Sequence, residues 1–177
     1  MKNSDLFSSV VIKWGLIYGL VGVIYVFVYA MLGLQGKGSF VVAIVAWLFQ
    51  AVLAFLMYFL ATKEYRGENG NLISFGRGFG INMLVGLIGG AIKGVGFYIY
   101  AKFIDPSYIQ NMFEAQMEAQ EEFGGPSASS AEMPGFMEFM LTPEFNAGST
   151  FILVIWGAVI YGLIVAAVNQ KKEEFNY

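Results

Sequence analysis

The chain has 177 residues, of which 57% are hydrophobic and only 13% charged, and its formal net charge is −3. Soluble domains carry about 25% charged residues, so the composition indicates a membrane protein, and the length indicates one domain. The sequence contains neither cysteine nor histidine. This excludes disulfides, thiolate metal sites and every histidine-dependent class of catalysis. We expect no catalytic residues, no metal site, no cofactor and no nucleic-acid partner.

The first two predicted spans are uncharged over nearly their whole length. No residue between Lys13 and Lys37 is charged, which predicts a first span at about 10–31 that acts as an uncleaved signal anchor. A stripe of small residues runs along one side of this span and is formed by Gly15, Gly19 and Gly22. The second span is placed at about 40–61. Its only strongly polar residue is Gln50, for which one interhelical hydrogen bond is the simplest interpretation.

The third predicted span, at about 79–101, is apolar and long enough to cross a bilayer, but it contains Lys93. Alternating steps of four and three residues along the helix give one face whose residues are polar or are glycines without a side chain. This face consists of Asn82, Gly86, Gly89, Lys93, Gly96 and Tyr100. Such a face suits contact with protein better than contact with lipid. A GxxxGxxxG run, formed by Gly86, Gly90 and Gly94, also predicts close helix packing, within the chain or across a dimer.

A lysine at mid-span is unfavourable by about 2.5–3.5 kcal/mol on insertion scales. Helical side chains lean towards their own N-terminus, so we expect Lys93 to lie over glycines and to face the bundle. Tyr25, Gln50 and Trp156 lie at similar depth and are the candidate partners. One hypothesis is that Lys93 and Asn82 line a pocket for an anionic head group. The alternative is that Lys93 reaches the membrane surface through local water.

The segment at about 105–148 is acidic and predicted to form a helical hairpin. Asp105-Pro106 is expected to start an amphipathic helix that ends near Phe123. The spacing of 129–132 fits a capping box for a second, shorter helix. Thr142-Pro143 would end that helix and precede the fourth span at about 149–168. The predicted fold class is therefore an all-α membrane protein with four spans and an acidic hairpin between the third and the fourth.

Lysine and arginine positions predict the orientation of the spans. Most of them fall on one side of the proposed spans: Lys2, Lys13, Lys63, Arg66, Arg77, Lys171 and Lys172. This predicts both termini in the cytoplasm and the acidic hairpin outside. The hairpin is then either a docking surface for a basic partner or divalent cations, or an ordinary solvated face.

Several stretches resemble a known family. The block KEYRGENGN followed by ISFGRGFG, the first-span run IKWGLIYGL, the step FIDPSYI and the ending IVAAVNQKK are similar to domain-of-unknown-function family 4199. The resemblance covers nearly the whole chain. It implies a small protein with four spans in the bacterial inner membrane, and it brings no activity and no catalytic residues.

Two functional interpretations follow, and a membrane enzyme ranks third because only carboxylates, lysines and tyrosines remain for chemistry. The first is a non-enzymatic accessory or interaction subunit that contacts membrane lipids and a protein partner or a second copy of itself. The second is a small transporter or anionic-lipid-handling protein. Its predicted site residues are Lys93, Asn82, Gln50 and Tyr25. The predicted helix-packing residues are Gly15, Gly19, Gly86, Gly89, Gly90 and Gly94.

Overall fold

The computed structural model describes residues 3–34, 40–122 and 135–171. This part of the chain is helical: α1 (Asn3–Met31), α2 (Phe40–Glu68), α3 (Phe75–Ile99), a π-helical segment (Tyr100–Ile104), α4 (Tyr108–Glu122), α5 (Gly135–Met140) and α6 (Pro143–Asn169). Four stretches are long and apolar enough to cross a membrane, at Ser4–Met31, Val41–Glu68, Phe75–Ile104 and Pro143–Asn169. The predicted all-helical fold with four membrane-length helices is confirmed.

α3 is the central helix of the bundle. It packs along α1 on one side and along α6 on the other, and α2 closes the ring by contacting α1 and α6. α1 and α3 run parallel, since Gly15 faces Ile88 and Gly19 faces Ile92. α6 runs antiparallel to α3, since Gly78 faces Ala166 and Gly94 faces the carbonyl of Ala147. Glycine therefore sets the spacing of α3 from both neighbours.

The local signals at the ends of α3 and α6 agree with the sequence. Ser74 caps α3, and its side chain accepts a hydrogen bond from the Arg77 amide. Thr142 caps α6, with Pro143 at the first helical position. Both arrangements satisfy amide groups that a helix start leaves without a partner. Between α2 and α3 the chain turns through Gly70 and Asn71, whose φ angles are 64° and 62°.

Basic residues of α1, α2 and α3, together with Lys171 just after α6, lie at one end of the bundle, which we call the basic end. Lys13 of α1 pairs with Glu64 of α2 at 2.7 Å. The main chain of Ile73, just before α3, forms an antiparallel bridge with Lys171, just after α6. Arg77 of α3 lies over the ring of Phe7. The basic end therefore holds the start of α1 and α3 and the end of α2 and α6.

The opposite end, which we call the distal end, is closed by α4. Tyr108 and Ile109 are buried in a cluster with Ala30, Phe97 and Tyr100. Burial, and to a lesser degree neighbouring tyrosines, raises the pKa of Tyr108 to about 12. Its hydroxyl therefore stays neutral where an exposed tyrosine would ionise, which keeps α4 compatible with this apolar contact.

One sequence prediction about the acidic segment differs from the structure, and another concerns residues that the structure does not describe. α4 begins at Tyr108 and not at Pro106. Asp105 lies before the helix, in a turn where its carboxylate accepts hydrogen bonds from the amide and the hydroxyl of Ser107. The predicted capping box at 129–132 lies outside the described residues. The described part of the second hairpin helix is α5.

Candidate functional site

Lys93 lies inside the bundle, in a slot between α3 and α1. Its side chain is only 6% exposed. The slot exists because position 22 of α1 is glycine: a Cβ there would lie 2.0 Å from Cε of Lys93 and 2.5 Å from its Cγ. The aliphatic stem therefore packs directly on the α1 backbone. The expectation that Lys93 faces the bundle is confirmed.

The ammonium group of Lys93 ends over an aromatic face. Its Nζ lies 3.7 Å from the centroid of the Tyr18 ring, within the range of a cation–π interaction, which is worth about 2 kcal/mol or more when desolvated. The Tyr18 ring rests in turn on Gly89, where a Cβ would lie 2.5 Å from the ring. Gly22 thus leaves space for the lysine stem, and Gly89 leaves space for the Tyr18 ring that contacts the ammonium group.

Among the residues that the structure describes, none with an opposite charge pairs with Lys93. From 14 to 34, 40 to 62 and 145 to 169 the sequence has no Asp, Glu, Lys or Arg, and Lys93 is the one charged residue between 78 and 101. Among the described residues, Tyr18 is the aromatic partner of its ammonium. A charged group buried in a membrane span without a counter-ion is costly and commonly serves a function.

A second group of polar side chains lies deeper towards the basic end. Asn82 is fully buried, and its amide Nδ2 donates a hydrogen bond to the carbonyl of Gly162 at 3.2 Å. Tyr58 of α2 is also fully buried, and its hydroxyl lies 3.1 Å from where a Cβ of Gly86 would stand. Its ring meets Tyr18 edge-on, with 5.5 Å between centroids. Tyr58 therefore connects Lys93 and Tyr18 to the face of α3 that carries Asn82.

Polar contacts continue from this group to the basic end. Asn169 Nδ2 donates to Thr62 Oγ1 at 2.6 Å, and the Thr62 hydroxyl donates to the carbonyl of Tyr58 at 2.9 Å. Arg66 donates from Nη1 to the carbonyl of Asn169 at 3.3 Å. We call the set Lys93, Tyr18, Tyr58, Asn82, Thr62 and Asn169 the polar seam. Its members are all buried.

The predicted ligand-binding residues make different contacts in the structure. Lys93 and Asn82 lie in the polar seam. Tyr25 stacks instead on Phe49 at 5.4 Å and on Tyr29 at 5.6 Å, and Gln50 is half-buried on α2. Trp156, considered as a cation–π partner, is 62% exposed on the outside of α6. Tyr18, and not Tyr25, Gln50 or Trp156, is the cation–π partner of Lys93 among the described residues.

The predicted packing glycines lie at helix contacts. Gly15 and Gly19 face Ile88 and Ile92 of α3, and Gly89 faces Tyr18. The remaining three face α6: Gly86 meets Ala158, Gly90 meets Phe151 and Val154, and Gly94 meets the Ala147 carbonyl. The GxxxGxxxG run thus lies on the α6 side of α3 within one chain. The sequence did not predict that Lys93 packs against Tyr18 and Gly22, although Gly22 belongs to the stripe of small residues in the first span.

Comparison with known proteins supports the assignment of the whole chain to one family. The family model described as "Protein of unknown function (DUF4199)" matches residues 13–171. The chain belongs to the DUF4199 family. The match includes Lys93 and the rest of the polar seam. No curated protein and no solved structure matches the chain. The resemblance recognised from KEYRGENGN and ISFGRGFG is therefore confirmed. These comparisons assign no activity to this DUF4199 chain.

Proposed function

We propose that this DUF4199 protein is a non-enzymatic, multi-pass subunit of the bacterial inner membrane that binds another membrane helix through the distal half of α2. The observation that carries the proposal is the packing of residues 41–53. No residue in this range is buried, whereas Ala54, Tyr58 and Ala61 further along the same helix are. α2 therefore packs into the bundle at its basic half and leaves it towards the distal end.

Exposed apolar residues alone do not argue for a protein partner, because lipid covers them in a bilayer. Gln50 is the feature that does. Its amide is half-buried and makes no hydrogen bond to any residue that the structure describes. An amide at membrane depth is unfavourable unless it finds a hydrogen-bonding group, and a second helix is the usual source. Trp47 and Phe49, which are 66% and 52% exposed on the same stretch, provide apolar area beside it.

Photo-crosslinking in native membranes tests this proposal. A photoreactive residue placed at Val45 or Phe49 on α2 should give a protein adduct of defined mass, whereas the same residue at the equally exposed Leu20 or Ile160 should give lipid adducts alone. An added mass near 19.5 kDa would identify a second copy of this chain. Gln50→Leu should reduce the adduct yield about tenfold, because one interhelical hydrogen bond is worth about 1–2 kcal/mol. Lipid adducts alone at all four positions would contradict the proposal.

We infer that the basic end faces the cytoplasm and that the acidic segment at about 105–148 lies outside. The support is the collection of Lys13, Arg66, Arg77 and Lys171 at one end, as the positive-inside rule requires, and the acidic character of α4 at the other, with Glu114 and Glu118 exposed. The DUF4199 match is compatible with this topology.

Cysteine labelling tests the orientation in a chain that has no native cysteine. Ser107→Cys at the distal end should react with a membrane-impermeant maleimide in intact spheroplasts. Gly67→Cys, which lies in open space at the basic end, should react only after lysis. The reverse pattern would place the termini outside.

The alternative of anionic-lipid handling at Lys93 has weaker geometric support. A head group would have to displace the Tyr18 ring or α1, because the slot leaves the lysine only 6% exposed. Tyr18, and neither Tyr25 nor Gln50, contacts the Lys93 ammonium among the described residues. The interaction subunit is therefore the function that we propose.

A further inference from the structure

The short helix α5 has an apolar side and an acidic side, and both are exposed. Residues three and four positions apart share one side of a helix, so Phe136, Phe139 and Met140 lie together, and Glu138 lies on the opposite side. All four side chains are exposed, and Phe136 exposes 68% of its surface. The described part of the chain therefore leaves the apolar side of α5 largely uncovered.

Several contacts fix α5 to the first turn of α6. The Thr142 hydroxyl donates a hydrogen bond to the carbonyl of Phe139 at 2.7 Å, and the amide Nδ2 of Asn146 donates to the carbonyl of Met140 at 2.7 Å. The ring of Phe139 meets the ring of Phe145 edge-on, with 5.1 Å between centroids. The position of α5 relative to the membrane therefore follows from the position of the start of α6.

The start of α6 lies at the level of the lipid head groups. α6 has 27 residues, which give about 40 Å of helix, whereas the hydrocarbon core is about 30 Å thick. Glu144 in its first turn pairs with Lys102 at 2.8 Å, and both side chains are exposed. Lys102 also donates to the Tyr98 hydroxyl at 2.6 Å. Exposed charges are costly among acyl chains, and tyrosine is enriched at the membrane surface, so this group marks the boundary.

The side of α6 that α5 contacts is a side that faces lipid. Phe145, Ile152 and Trp156 are spaced by seven and four residues and therefore share one side of the helix. Ile152 and Trp156 are exposed, and apolar side chains exposed within a span contact acyl chains. Because Phe139 of α5 packs on Phe145, the apolar side of α5 adjoins the distal end of this lipid-facing surface.

We propose that α5 is an interfacial anchor that binds the surface of the lipid bilayer. Phe136, Phe139 and Met140 insert between the head groups and the acyl chains, and Glu138 points to water, as in other amphipathic helices that lie in a membrane surface. A helix of six residues binds lipid weakly by itself, but attachment to a spanning helix keeps it at the surface at high effective concentration. The anchor is independent of the binding surface on α2 and of the leaflet that holds the distal end.

Site-directed spin labelling tests the proposal in a chain that has no native cysteine. Phe136→Cys and Met140→Cys, each labelled with a nitroxide in the full-length protein in phosphatidylcholine liposomes, should collide more with oxygen, which dissolves in lipid, than with a water-soluble nickel chelate. Glu138→Cys should show the opposite preference. We expect the ratio of oxygen to nickel accessibility to be several-fold higher at positions 136 and 140 than at position 138.

A change of charge on each side of α5 provides the matched control. With the label at position 140, Phe136→Glu should lower the accessibility ratio several-fold, because the new carboxylate draws the helix towards water. Glu138→Gln should leave the ratio unchanged. The proposal is overturned if labels at positions 136 and 140 meet nickel as readily as the label at position 138, which would place α5 in water. Low accessibility to both reagents would also overturn it, since protein would then cover this side. Neither result affects the crosslinking test of α2.

Discussion

Gly86→Ala should destabilise the protein by about 1–3 kcal/mol, because the added methyl overpacks a contact between two backbones. A Cβ at position 86 would lie 2.5 Å from Cβ of Ala158 and 3.1 Å from the Tyr58 hydroxyl. Neither atom is the free end of a flexible side chain, so α3 and α6 would have to separate. The free energy of unfolding, measured by titration with denaturing detergent in mild micelles, should show the loss.

Two controls separate crowding from a general effect of replacing glycine. Gly80→Ala changes the same helix at a position where nothing lies within 4 Å of the new methyl, and it should stabilise the protein by about 0.5–1 kcal/mol through lower backbone entropy. Adding Ala158→Gly to Gly86→Ala should restore most of the lost stability, since it removes the clashing methyl. Equal effects of Gly80→Ala and Gly86→Ala would contradict the close α3–α6 contact.

Gly22→Ala should have the other large effect, again about 1–3 kcal/mol of destabilisation. The new Cβ would overlap Cγ, Cδ and Cε of Lys93, so the entire stem would have to leave its slot and the ammonium would leave the Tyr18 ring. Lys93→Ala removes the overlap. We therefore expect the double variant to be more stable than the sum of its single changes predicts, by about 1–3 kcal/mol.

The control for this double-mutant cycle of Gly22 and Lys93 is a lysine at the distal end of the third span. Lys102 pairs with Glu144 at 2.8 Å at the distal end, whereas the atoms nearest to a Cβ at position 22 belong to Lys93. Gly22→Ala combined with Lys102→Ala should therefore be additive. Coupling of Gly22 to Lys102 as strong as that to Lys93 would mean that the effect comes from charge and not from the slot.

The sequence predicted the face of α3 because helical periodicity alone determines which residues share a side. Asn82, Gly86, Gly89, Lys93 and Tyr100 are all buried. The helix boundary at Thr142-Pro143 was likewise predictable, because capping depends on neighbouring residues. The start of α4 was not, because the Asp105 carboxylate accepts a hydrogen bond from the Ser107 amide in a turn that competes with helix initiation at Pro106.

The partner of Lys93 was harder to predict, for a geometric reason. Tyr25 was selected by comparing the depth of its backbone with that of Lys93. The lysine stem leans about one turn towards the basic end, so its ammonium reaches the level of Gly89, where Tyr18 and not Tyr25 lies. Gln50 was at a suitable depth as well, but α2 leaves the bundle in this half. Neither the relative shift nor the tilt of helices follows from sequence periodicity.

A structure of the protein in lipid nanodiscs, at a resolution that shows side chains, would test the central claim most directly. The account predicts that the stem of Lys93 lies against Gly22, with its amine over the Tyr18 ring and apart from every lipid. An amine found among acyl chains, or at the head groups outside the helices, would contradict it.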